Sequence, residues 1–209
     1  MEDLRSLSDG EKYKDCMVII VNRMNLIKKY LEDRENLKDD KIAITIEFMC
    51  LQYRKIFENI IFASLAANRQ AVTTQYIQLL NEYHPDRIIK KMKLLNPHYY
   101  PVPIKVIRAD GGTLVNAIPI SDKHLSEQDL KSAWNLCSDY LHARNPYAAS
   151  LTKKTVLDRF QTWWDKIQNL LHTHCIKLKE RNLLFICDVP FHDVLMVRAS
   201  LLQMSHIVE

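Results

Sequence analysis

Two of the three glycines in this 209-residue chain stand side by side, at Gly111 and Gly112, so very little of the remaining backbone has ready access to the left-handed angles that tight reversals demand. A many-turned β-sandwich needs such residues at many corners, and a disordered chain would carry more Gly and Pro than the 3 and 7 found here. With 47% hydrophobic residues the chain can bury a sizeable core. The expected fold is therefore mainly α: a helical bundle with one or two appended β-hairpins forming a small antiparallel sheet, organised as a single domain over residues 1–209.

The helices follow from apolar spacing. Met17, Ile20, Met24, Ile27 and Leu31 recur at intervals of three and four, which predicts a first helix from about Ser8 or Glu11 to Leu31. After a charged turn at residues 35–40, Phe48, Leu51, Ile56, Ile60, Phe62 and Leu65 make a second helix apolar nearly all round, the expected centre of the bundle. Its start, Ile42 to Ile46, also alternates like a strand, but the continuation through Ala63 to Ala67 favours helix. A short third helix is expected over Val72 to Glu82. Pro85 then fits the first turn of another helix, which must stop near Asn96-Pro97.

Beyond Val102 the pattern changes. Two β-rich runs flank Asp110-Gly111-Gly112, a tight-reversal signal, and predict a hairpin near 103–119. Ser126 and Asp129 form a capping pattern for a helix that ends within Cys137 to Tyr147, because Pro146 opposes continuation. A long helix is expected from Thr152 to Lys179, with Val156, Phe160, Trp163, Ile167, Leu170, His174 and Leu178 at heptad-like spacing, as a bundle core or a dimer seam. The apolar run Asn182 to Val189, then Pro190 and Val194 to Val197, predicts a second hairpin near 183–199. Pairing of the two hairpins would complete a small sheet, since an isolated two-stranded ribbon is marginal in water.

No run approaches the roughly 18 apolar residues that cross a bilayer, and the polar start is unlike a signal peptide, so no membrane association and a cytoplasmic location are expected. The five cysteines are scattered without a CxxC pair and read as buried, reduced thiols. The net charge of +4 tolerates an anionic partner, and Arg87, Lys90, Lys91 and Lys93 form one basic cluster, followed by Lys105 and Arg108. A solvated helix face explains the cluster better than phosphate contact does. No phosphate-binding glycine loop, GxSxG elbow or zinc-spaced Cys/His set is present, and His172 and His174, two apart on the expected helix, would diverge; no metal and no cofactor are expected.

Three constellations remain. Glu47, Arg54 and Glu58 return to one side of the second helix and would form a buried ion network or line a pocket. Asn96 to Pro101 sets His98, Tyr99 and Tyr100 between prolines beside the basic helix, where they would either stack on bases or fasten the loop to the bundle. The richest segment is Cys137 to Tyr147. Here Asp139 and His142 lie one turn apart, and Arg144 and Asn145 follow the helix end. These four either cap the helix or supply a general base with charge stabilisation.

Leu51-Gln52-Tyr53-Arg54-Lys55-Ile56-Phe57-Glu58, followed later by Cys137-Ser138-Asp139-Tyr140-Leu141-His142, resembles bacterial HEPN-like helical proteins over the helical body. The resemblance implies a helical bundle that commonly dimerises and places an Arg and a His at a shared cleft for metal-independent RNA cleavage, often in toxin–antitoxin or phage-defence systems. The superfamily's usual Arg with a His four to six residues beyond it is absent, and His142-Ala143-Arg144-Asn145 carries the residue types in reverse order. Many such family members are binding or assembly modules. Two functions are therefore expected: a noncatalytic interaction or dimerisation module with a homodimeric or protein partner, or a metal-independent ribonuclease or RNA binder using His142 and Arg144 with Arg54, Glu58 or His98 in support.

Overall fold

The computed structural model describes residues 3–33, 39–72, 74–108, 114–121, 123–142, 152–179, 183–191 and 197–203. Its first helix, α1 (Asp3–Glu32), buries the expected stripe of Met17, Ile20, Met24, Ile27 and Leu31 and adds Tyr13 at the same periodicity. The second, α2 (Asp39–Ala67), runs antiparallel to it. The pairing is fixed by Arg23 Nη1 donating to Gln52 Oε1 and by the rings of Tyr30 and Phe48, 5.1 Å apart. Residues 42–46, ambiguous in sequence, are helical. As expected, α2 is central, packing on α1 and on the three later helices.

Where a third α-helix is expected over Val72 to Glu82, the chain forms a short 3-10 turn (Arg69–Ala71) and a 3-10 helix (Thr74–Asn81). Val72 and Thr74 are β-branched and lose χ1 freedom in an α-helix, which favours this tighter, shorter solution. Then α3 (Pro85–Leu95) begins with Pro85 in its first turn and ends at Asn96, before Pro97.

The first hairpin joins β1 (Val102–Arg108) to β2 (Leu114–Pro119) in antiparallel register from Ile104↔Pro119 to Arg108↔Leu114; its glycine turn lies outside the described residues. Ser126 opens α4 (Glu127–Leu141) with a capping box: Asp129 N donates to Ser126 Oγ at 3.0 Å, and Ser126 N donates to an Asp129 carboxylate oxygen at 3.1 Å.

The largest departure from sequence expectation follows. The helix α5 (Lys153–Leu171) stops eight residues before Lys179, and Thr173–Leu178 is a strand, β3. His174 and Leu178 continue the heptad only by coincidence. Thr173, Cys175 and Ile176 favour extended backbone, and the strand is buried on both faces around Cys175, so no polar alternation announces it. The remaining heptad residues, Val156, Phe160, Trp163, Ile167 and Leu170, are buried in the main core, so this stripe is not a dimer seam.

The strand β4 (Leu183–Asp188) pairs with β3 and with β5 (Arg198–Gln203), giving a five-stranded antiparallel sheet in the order β2-β1-β3-β4-β5. The expected second hairpin thus exists as β4–β5, but its return strand begins at Arg198 opposite Asp188, later than Val194. Residues 192–196 lie outside the described residues. The two hairpins do not pair directly, because β3 lies between them and bonds to both β1 and β4. One sheet face, with Ile176, Phe185 and Cys187, joins the helical core, while Ile104, Ala117, Cys175, Leu184 and Ile186 form a smaller cluster on the other. Among the described residues no helix is long and apolar enough to cross a membrane.

Candidate functional site

The inward stripe of α4 is Leu130, Ala133 and Cys137, which turns Asp139 and His142 to solvent at the helix end. His142 is the C-cap; its backbone N–H donates to Ser138 O at 3.2 Å, and its ring and the Asp139 carboxylate have no partner among the described residues. Arg144 and Asn145 lie outside the described residues.

Arg54 is held elsewhere on the seam between α2 and α4. Its Nε donates to Glu58 Oε1 at 3.2 Å, and its guanidinium lies 4.7 Å from the centroid of the Trp134 ring. Lys55 Nζ reaches the other Glu58 oxygen at 2.8 Å, so two cations share one nearly buried carboxylate. Glu47 is exposed and takes no part, so the stripe read in the sequence closes around Glu58 alone. Trp134 and His142 are eight residues apart on or at the end of α4, which is about 12 Å along a helix axis. Arg54 and His142 are therefore separate features. Trp134 also lies beside the His84 ring, 5.6 Å between centroids. Neither residue is distinguished in the sequence, since their proximity depends on how α3 and α4 meet.

The loop after α3 is bound to the body. Asn96 Nδ2 donates to Asn68 Oδ1 and to Lys177 O, each at 2.7 Å, while Asn96 Oδ1 accepts from His98 N at 2.9 Å. Tyr99 is 1% exposed, and Tyr100 donates to Leu125 O at 3.0 Å. Burial, with Glu127 nearby, pushes the Tyr99 phenol well above its ordinary pKa. His98 remains exposed. In the basic cluster, Arg87 lies 3.6 Å from Glu82 and Lys93 lies 3.0 Å from Glu127; Lys90 is exposed without a partner among the described residues, and Lys91 is half-buried. Half of this cluster is thus neutralised locally.

The cysteines are free; four are buried and Cys16 is half-buried. Burial pushes the thiols of Cys16 and Cys175 up to about 11 and that of Cys187 to about 12, so these three stay protonated at neutral pH and are poor nucleophiles. Among the described residues no group of three or more His, Cys, Asp or Glu side chains is placed to share a metal ion.

No known protein family, curated protein or solved structure matches this chain.

Proposed function

We propose that the chain is a noncatalytic helical interaction module that pairs with a second copy of itself through the outer face of α2. The observation that carries this reading is the exposure of Ile44 (69%) and Leu51 (42%) on a helix whose other faces are packed. Ile44, Phe48, Leu51 and Lys55 are spaced four, three and four apart and so share one stripe, and aliphatic residues seven apart have the spacing of a helix-pairing seam.

The charges beside this stripe favour one arrangement. If a twofold axis passes at Leu51 and sets two copies of α2 antiparallel, positions equally far from Leu51 in opposite directions meet. Glu47, four residues before Leu51, then faces Lys55 of the second copy, four residues after it, and the pairing occurs twice. Both residues are exposed, and Lys55 Nζ, which also holds Glu58 of its own helix at 2.8 Å, would be shared between the two carboxylates. In the same way Phe48 meets Arg54 and Ile44 meets Glu58 of the second copy, so Leu51 against Leu51 is the aliphatic contact on the axis. Parallel packing would instead set Glu47 against Glu47 and Lys55 against Lys55, so like charges oppose it.

Sedimentation equilibrium at micromolar concentration tests the reading. Wild type is expected to dimerise, Leu51→Glu to remain monomeric while folded, and Glu47→Lys to weaken association that Glu47→Lys combined with Lys55→Glu restores. A strictly monomeric wild type would overturn it. The ribonuclease alternative implied by the family resemblance requires cleavage of mixed RNA in the presence of chelator, lost in His142→Ala and Arg144→Ala; the interaction reading expects no cleavage.

A further inference from the structure

The strand β1 is joined to β3 at only two pairs, Val102↔Cys175 and Pro103↔His174. The reason is local: β3 begins at Thr173, directly after the end of α5, so from Lys105 onward β1 is paired only with β2 and its other edge has no strand beside it. The β1–β2 hairpin continues past the last turn of α5. Between them it leaves an open cavity of about 450 Å³, within the range that holds a small ligand. It shares no residue with the α2 face.

The walls divide by chemistry. Ile104, Val106 and Ile120 are its apolar lining residues, and Lys105, Arg108, Asn169, His172, Thr173 and Asp188 its polar ones. Arg108 Nη2 lies 4.0 Å from Asp188 Oδ2, so the one carboxylate of the lining is offset by an arginine. Lys105 then leaves a positive excess. Its Nζ, the His172 ring and the Thr173 hydroxyl have no side-chain partner among the described residues, and each can supply a donor. The negative end of α5 would oppose an anion, but two of its last four carbonyls are taken, Gln168 O accepting from His172 N and Leu171 O bonded to the His174 ring, and the following His172 O accepts from Val189 N at 2.8 Å.

We propose that this cavity binds a small organic anion, an apolar body of a few carbons bearing one carboxylate or phosphate head. The body lies against Ile104, Val106 and Ile120, and the head takes hydrogen bonds from Lys105, Thr173 and His172. A head group alone lacks the apolar contact, and a neutral alcohol lacks the charge-assisted bonds, which are the stronger ones.

Calorimetric titration of the full chain with hexanoate, hexyl phosphate, hexanol and inorganic phosphate, followed in parallel by amide chemical shifts, tests this. Hexanoate or hexyl phosphate is expected to bind with shifts centred on residues 104–108 and 169–173, and the better of the two identifies the head. Hexanol and inorganic phosphate are each expected to bind about tenfold more weakly or not at all. Lys105→Met should weaken the better probe by about tenfold without moving the melting temperature, and Val106→Trp, which fills the cavity, should abolish binding. Inorganic phosphate binding as well as hexyl phosphate, hexanol matching hexanoate, Lys105→Met binding unchanged, or no shift at millimolar probe would each overturn the proposal.

Discussion

The junction of α5 with β3 and the end of α4 both place a histidine just beyond a helix, and they use it in opposite ways. His174 is fully buried. Its Nδ1 lies 2.9 Å from Leu171 O, and because a carbonyl only accepts, that nitrogen carries the proton and Nε2 is left to accept from the Tyr13 hydroxyl. One ring thereby ties α5, β3 and α1 together. Burial pushes its pKa down to about 4, so it remains neutral at physiological pH. His142 ends α4 in solvent, with no side-chain partner among the described residues. The contrast separates chemical type from role: an imidazole is structural where its two nitrogens are claimed by a buried acceptor and a buried donor.

The comparison can be broken first by acid. The unfolded chain binds a proton at His174 near the ordinary value of 6.5, while the fold resists until about 4. The stability that comes from keeping His174 neutral is therefore complete above 6.5 and is lost as pH falls from 6.5 through 4. The shift corresponds to about 3 kcal/mol. Urea unfolding at stepped pH is expected to show this loss beyond that of a His174→Gln variant; identical pH slopes would place the buried charge cost elsewhere.

A smaller effect is expected from Tyr13→Phe, which deletes the donor and leaves Nε2 buried without a bond, costing about 1–3 kcal/mol. The Tyr13 ring also lies 4.5 Å from that of Phe185, a contact that phenylalanine keeps. The same urea midpoint measures the hydroxyl alone, and an unchanged midpoint would remove the hydrogen bond from the account of the junction.

Least of all should change in His142→Ala. An exposed residue after a helix end, with no side-chain bond to lose, is expected to shift stability by less than about 0.5 kcal/mol. A larger loss would mean that His142 is held by contacts that make it structural, and the contrast with His174 would fail.

Legibility in the sequence followed how local each determinant is. The stripe of α1, the Pro85 start of α3, the Ser126–Asp129 box and the strands around the glycine turn were all readable, because each rests on residues within a few positions of one another. The second half of the expected long helix is strand β3 instead, because a strand buried on both faces carries the same local apolar pattern as a continuing helix. The candidate site was legible only as residue types. Arg54 and Glu58 met as the helical spacing suggested, but Trp134, which completes their surroundings, is 80 positions from Arg54 in the chain. Lys105, His172 and Asp188 line one cavity because β1 overruns β3, an event that no local pattern encodes.

Periodicity, capping residues and scarce glycine were therefore enough to specify a helical body with an antiparallel sheet, because secondary structure answers mainly to neighbours in the chain. Which histidine is buried, which face of α2 stays open at Ile44 and Leu51, and where the cavity beside α5 falls were settled by packing. Desolvation and hydrogen-bond satisfaction depend on residues brought together from distant positions, as Tyr13 and His174 are across 161 residues.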